Sequence, residues 1–356
     1  MPLPSRPTIK PWLPQVWRDP RTLQIGVEPG SGVLVSGLDL ATATWLAGLD
    51  GSRSEAEVLS DASVLGLDVG SAVRILAGLR LAGVLLGTPL DSQSLADAGP
   101  YLPELVGLTE SGPPAANASQ VLAARSRRHV AIEGANRIGV PLGALLAASG
   151  VGGLSFLDQA TVRQCDASVG GLDLGDEGEA RTLAAQRAVR RTVPAADLTP
   201  VSGPHQPDLV VLCHPWTVHD PLQGHDSPDR GAHLAVSVRE GRVVIGPLVV
   251  PGRTSCLHCA ELHRTDRDPR WPAVAAQLAA SPSMAMHEPT SVLAALAAAL
   301  AAAQVLEYLD GSRAPEVIEA TLELRPPDWQ VLRRRWPPHL DCGCLEESAD
   351  PLAAIG

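Results

Sequence analysis

Gly246-Pro-Leu-Val-Val-Pro-Gly-Arg-Thr-Ser-Cys256-Leu-His-Cys259-Ala-Glu-Leu-His-Arg-Thr-Asp-Arg-Asp-Pro-Arg-Trp271-Pro272 is the stretch that decides how the chain is read. A β-branched apolar run ends in Pro251-Gly252 and delivers two cysteines at C-x-x-C spacing. The dense polar segment Arg264–Asp268 follows, and then an Ala-rich helix. A second pair, Cys342-Gly-Cys344, stands near the other end of the sequence. Two close pairs of thiols outline a tetrahedral zinc site, because each pair supplies two sulfurs from one tight turn. The second pair is C-x-C, so His258, His263 and His339 stay open as substitute ligands. The plain alternative is two pairs of buried thiols. Cys165 and Cys213 lie outside the set, and a lone cysteine at a strand end such as Cys213 is read as core.

Composition narrows the rest. A chain of 356 residues that is 45 % hydrophobic can bury one large core or two modest ones. With 28 basic against 39 acidic residues the net charge is −11, which disfavours nucleic acid and leaves soluble or cationic partners open. No apolar segment follows Met1, and the Ala-rich run Ser291–Ala303 is read as too short to span a bilayer. Six cysteines in a chain this long do not make a disulfide scaffold. The expectation is a cytoplasmic protein with no membrane partner.

The first ninety residues read as a small α+β module. Thr22–Val27 and Val33–Val35 alternate at strand period around a Gly-rich turn. Helical patterns cover Leu40–Leu49, Ser54–Leu65 and Ser71–Leu81, and Ser54 with Glu57 fits a capping box. In the third helix Val73, Leu76 and Ala77 are expected to face the core, with Arg74 and Arg80 on the rim. Val33-Leu34-Val35 is expected at a sheet edge, where its backbone could take an extended peptide as an added strand. A hairpin followed by three helices is winged-helix-like. This order of elements resembles the peptide-recognition domain of peptide-modifying systems, which implies a peptide site at Val33, Val35, Arg74 and Arg80.

Residues 91–128, rich in Pro, Gly, Ser and Ala, read as a linker, and residues 129–356 as an α/β domain. In that domain His129–Ile132 is a strand, Gly134 to Gly139 a glycine turn into a helix ending at Ala148, and Gly153–Leu157 a strand closing on Asp158. This is a damaged dinucleotide fingerprint, and tight strand-to-helix packing explains its glycines equally well. Further strands are expected at Asp208–Cys213, Ala232–Val238 and Val243–Val250. A helix from about Glu288 to Leu309 and a late hairpin complete the domain. The histidines at 205, 214, 219 and 225 fit no ligand spacing and read as loop residues.

The order of features resembles the ThiF/MoeB-like proteins of the ubiquitin-activating superfamily, which adenylate the C-terminus of a small protein. The nearer branch is the partner protein of cyclodehydratases that make azoline rings in ribosomal peptides. The quoted stretch from Gly246 to Pro272, with His233-Leu-Ala-Val, carries that likeness. It implies a Rossmann-like adenylating domain with a zinc clasp at Cys256, Cys259, Cys342 and Cys344, and homodimerisation. It also implies a nucleotide site at Gly134, Gly139, Asp158 and Arg181. Departures from the family pattern make that site vestigial. Asn136 stands for a glycine, Ala160 for a second Asp, Val169 for an Arg and Pro215 for a magnesium-binding Asp. Adenylation needs cationic charge and metal at the phosphates. ATP is therefore not expected as a cofactor, while Zn²⁺ is. The function implied is a non-catalytic scaffold that binds a precursor leader peptide and presents it to a cyclodehydratase-type enzyme. The alternative is an active adenylyltransferase working on a peptide or small-protein C-terminus. A nicotinamide oxidoreductase is disfavoured, because no His/Asp/Tyr constellation follows the fingerprint.

Overall fold

The computed structural model describes residues 6–28, 30, 32–86, 98–111, 118–200, 206–213, 231–279 and 288–348. Its contacts divide the chain between Val121 and Leu122 into two units, each with its own hydrophobic core.

In the first unit an antiparallel sheet runs in the order β1 (Gln15–Asp19), β2 (Thr22–Ile25), β3 (Val33–Ser36). The β2–β3 hairpin matches the expected one, and β3 lies at an edge. β1 was not anticipated: all five of its residues are exposed, so it shows no apolar alternation. Three helices follow, α1 (Leu40–Ala47), α2 (Glu55–Val64) and α3 (Val69–Leu81). Each begins at a side-chain cap. Asp39 accepts from Thr42 N, Ser54 and Glu57 form the expected capping box, and Asp68 accepts from Ser71 N. The core gathers Leu23, Ile25, Trp45, Leu46, Val58 and Leu79. α3 meets it with Ala72, Leu76 and Leu79, whereas Val73 is 48 % exposed. The expected stripe is thus rotated by one residue, because positions 72, 76 and 79 follow the i, i+4, i+7 spacing that shares one face.

The stretch read as a linker carries two helices, α4 (Leu102–Ser111) and α5 (Ala118–Arg125). Leu105 and Ala118 pack with Leu86 and Trp12, and Glu110 accepts hydrogen bonds of 2.8 Å from both Lys10 Nζ and Trp12 Nε1.

The second unit is built on a seven-stranded sheet. Its strands are β4 (His129–Glu133), β5 (Gly153–Leu157), β6 (Leu209–Leu212), β7 (His233–Arg239), β8 (Arg242–Val249), β9 (Ala320–Leu324) and β10 (Val331–Arg335). They lie in the order β10-β9-β8-β7-β6-β4-β5. β5, β4, β6 and β7 are parallel, and β8, β9 and β10 continue antiparallel. Strands buried on both faces read as unbroken apolar runs, as Leu209-Val-Val-Leu212 does. Helix α6 (Gly139–Ala148) follows β4 and is buried along nearly its whole length, packed against α7 (Arg181–Thr192) and α10 (Ser291–Asp310). α10 is longer than the run read as Ser291–Ala303: at 20 residues it is long and apolar enough to cross a membrane. Here Leu293, Ala297, Ala301 and Val305 are buried in the core of the unit. Between β8 and α10 lie α8 (Leu257–Arg267) and α9 (Trp271–Ala279).

Candidate functional site

The order β5-β4-β6 means the chain steps to one side of β4 and then crosses back to the other. Such a reversal opens a crevice at the carboxyl ends of parallel strands. A cleft of about 1030 Å³ lies there, lined among others by Glu133, Gly134, Asn136, Asp158, Arg163 and Arg181. Gly134 and Asp158 thus sit where the fingerprint reading put them, and Arg181 reaches in from α7.

The two glycines are held by packing. Gly134 has φ +101°, and a Cβ there would lie 2.4 Å from the Cys213 carbonyl oxygen. A Cβ on Gly139 would lie 2.0 Å from the Gly134 carbonyl oxygen. Both positions exclude any side chain whether or not a phosphate ever arrives.

Asn136 makes a larger difference to chemistry. Its Oδ1 accepts from the backbone N–H of Ile138 at 3.0 Å and of Gly139 at 3.1 Å. Its Nδ2 donates to the Cys213 carbonyl. The first amides of a helix are its natural anion-binding groups. At α6 two of them are already satisfied by the chain's own side chain. Arg137, the next residue, turns away from the helix end and donates to the carbonyls of Pro289 at 3.0 Å and Cys165 at 2.9 Å, to the Ala167 carbonyl and to Ser291 Oγ.

The floor of the cleft is a chain of alternating charges. Arg181 Nη2 donates to Asp166 Oδ2 at 2.7 Å, and its Nη1 lies 3.5 Å from Asp158 Oδ2. Arg163 Nη2 donates to Asp166 Oδ1 at 3.0 Å and also pairs with Glu288. Burial pushes the Asp166 carboxyl up, but hydrogen bonds from the Arg163 side chain and backbone and from Arg181 outweigh it, and its pKa ends below the usual range. Burial, reinforced by the nearby Asp166, pushes the Glu288 carboxyl up. Asp158 also accepts from Ala135 N and Ala160 N, both at 2.9 Å. Arg163, Asp166 and Glu288 were not singled out from the sequence. Asp166 stands between Ala160 and Val169, two positions read as departures from the family pattern, and Glu288 is 125 residues from Arg163. Val169, where the family has an arginine, is 80 % exposed. Pro215 and the histidines at 205, 214, 219 and 225 lie outside the described residues.

The cysteines come together as paired. Cys256 caps the start of α8 and Cys259 sits in its first turn, while Cys342 and Cys344 arrive on the segment after β10. All four are buried and form one group able to hold a metal ion. The Sγ–Sγ distances are 3.8 Å for Cys256–Cys259, 3.5 Å for Cys256–Cys342 and 3.6 Å for Cys259–Cys344. Zinc–sulfur bonds of about 2.3 Å at the tetrahedral angle place sulfurs about 3.8 Å apart, so the four thiols fit that ion. Burial raises the Cys342 thiol and pushes the Cys344 thiol up to about 12, costs that a bound cation would reverse. Among the described residues no histidine enters the group: His263 Nε2 donates to the Pro337 carbonyl at 2.9 Å, and His339 Nε2 lies 2.9 Å from Asp266 Oδ2. The polar run after Cys259 is structural in part. Glu261 accepts from Arg264 and from Trp271 Nε1, and Arg264 and Arg267 lie over the Trp336 ring at 4.8 and 5.1 Å.

In the first unit Val33 and Val35 are half-buried against the core, leaving Leu34 outward at the edge. Arg74 is exposed, 3.9 Å from Asp68, and Arg80 donates to Glu55 at 3.0 Å.

No family model and no curated protein matches the sequence. Solved structures do. E. coli MccB with ATP matches with a TM-score of 0.68 at 14 % identity, over 95 % of this chain and 99 % of MccB. The Microcin C7 biosynthetic enzyme MccB in complex with N-formylated MccA gives 0.66 at 13 % identity, over 95 % and 99 %. PaaA gives 0.64 at 15 % identity, over 93 % of this chain and 100 % of PaaA. Identities this low carry the fold and leave the chemistry to the residues themselves. The fold of this chain is the one shared by MccB and PaaA.

Proposed function

We propose that this chain binds a ribosomal precursor peptide by its leader and presents it to a separate modifying enzyme of cyclodehydratase type, without adenylating it. The observation that carries this reading is Asn136, whose Oδ1 takes the Ile138 and Gly139 amides that would otherwise meet a phosphate. The charge around the cleft argues the same way. Glu133, Asp158 and Glu288 line it with only Arg163 and Arg181 as cations among the described residues, and both arginines are engaged with carboxylates, the buried Asp166 included. A triphosphate entering such a site meets excess negative charge and no free guanidinium.

The second reading is an ATP-dependent adenylyltransferase acting on a peptide or small-protein C-terminus. The comparisons taken alone weigh toward it and against the expectation that ATP has no place here, since MccB has been solved with ATP and with MccA. Both readings give the chain a peptide ligand. In the first, the peptide adds to the edge of β3 beside α3, in a winged-helix-like module, with Leu34 outward and Arg74 and Arg80 near the groove for an acidic leader. Arg80 would have to share its guanidinium with Glu55. Zinc in the four-cysteine group fastens the segment after β10 to α8, and a second copy of the chain pairs through the α/β unit.

ATP–pyrophosphate exchange with candidate precursors separates the readings. The first expects background exchange from the wild type. Exchange above background makes the chain an adenylyltransferase.

A further inference from the structure

α8 carries His263 and Asp266 three residues apart, on one face of the helix. The segment leading to Cys342 lays His339 beside them. The two imidazole centroids are 4.9 Å apart at 73°, and one donor atom from each of the three side chains lies within 4.8 Å of the others. None of the three belongs to the four-cysteine group.

We propose that His263, Asp266 and His339 form a second metal site, for a dication of the zinc, cobalt and nickel class. Two imidazoles and a carboxylate are a donor set for those ions and leave positions open for water. The tautomer of His263 leaves Nδ1 as its donor atom. Its Nε2 is 2.9 Å from the Pro337 carbonyl, which can only accept, so Nε2 bears the proton and Nδ1 keeps its lone pair. A second ring nitrogen held on a backbone carbonyl is the usual outer support of a metal-binding histidine. His339 uses its two nitrogens differently: Nδ1 accepts from Asp341 N at 3.1 Å, and Nε2–H donates to Asp266 at 2.9 Å. Metal binding at Nε2 moves that proton to Nδ1, which gives up the hydrogen bond from Asp341 N and lies 3.8 Å from Asp341 Oδ2, so the imidazole changes tautomer and loses no proton overall. Bonds of about 2.1 Å need donors about 3.4 Å apart. The remaining closure falls to Asp266, whose side chain is 62 % exposed and free to rotate. The Arg267 guanidinium stands over the Trp336 ring at 5.1 Å. The site owes nothing to the peptide or nucleotide readings.

The competing account is mechanical. His339 N–H donates to Cys259 Sγ at 3.4 Å, so the His339–Asp266 pair would serve only to hold the cysteine clasp shut. Asp266→Asn separates the two, because asparagine still offers an oxygen to His339 but lacks the charge a cation needs. Untagged full-length protein with zinc in its cysteine group is titrated with Co²⁺, following visible absorption and retained zinc. The wild type is expected to take one further equivalent with weak d–d bands and no intense thiolate-to-cobalt band. D266N and H263Q should bind that equivalent at least about tenfold more weakly while keeping the first zinc. A wild type that takes no further cobalt overturns the proposal, as do variants that titrate like it or that lose the clasp zinc.

Discussion

The cysteine clasp and the cleft at the ends of β4 and β5 belong to one unit of one fold, yet they stand differently to the pattern the sequence resembles. At the clasp every implied ligand is present, and the four sulfurs lie at separations a tetrahedral ion requires. At the cleft the shape persists while its polar groups are turned on one another, Asn136 onto the α6 amides and the arginines onto Asp166, Asp158 and Glu288. Donors of a structural metal site act in the folded state itself. Groups that act only in a phosphoryl transition state can change while the fold survives.

The largest effect should come from breaking the clasp. Cys259→Ser removes a fully buried sulfur, and should abolish zinc binding and lower the melting temperature of the second unit by about 10 °C or more, checked by elemental analysis and calorimetry. A variant as stable as the wild type would mean the clasp carries no metal energy.

Asp166→Ala should come next. Asp166 is wholly buried and receives Arg163 and Arg181, so its loss should cost about 3–5 kcal/mol by urea unfolding at neutral pH. Its carboxyl pKa is lowered in the folded state, so its stabilisation is full above the unfolded pKa and fades as pH falls through the folded one. The gap between variant and wild type should therefore narrow on acidification. A gap that stays constant down to about pH 2 would deny the pair its role.

Gly139→Ala should cost about 1–3 kcal/mol, because the added methyl would press on the Gly134 carbonyl. Asn136→Gly should cost only a few tenths of a kcal/mol as a lost cap, yet raise the affinity for ATP relative to adenosine by about tenfold or more. Calorimetric titration of both ligands reads this directly. Equal ATP affinity in N136G and wild type would show that the side chain does not exclude phosphate.

The smallest effect on the fold should be Arg74→Glu, an exposed side chain, with stability changed by no more than about 0.5 kcal/mol. Binding of an acidic leader peptide, followed by fluorescence anisotropy, should nonetheless weaken. Unchanged binding would move the peptide site away from α3.

What the sequence determined by itself is what depends on neighbours within a turn or a strand. The capping box at Ser54 and Glu57, the apolar runs of β4, β5 and β6, the glycine turn after β4 and the pairing of the cysteines could all be read before any coordinates. Strand β1 escaped because an exposed edge strand carries no period, and the α3 stripe slipped by one residue because alanine marks a buried face weakly. Tertiary structure alone decided which distant groups meet. Cys256 finds Cys342 across 86 residues, and Arg163 finds Glu288 across 125. It also decided that Asn136 bonds to Ile138 and Gly139, that Arg181 reaches Asp166, and that His263, Asp266 and His339 share one corner. The reason is physical. Local signals are fixed by backbone geometry and the burial period, whereas a charged or polar side chain chooses its partner only once the packed unit has removed water from the alternatives.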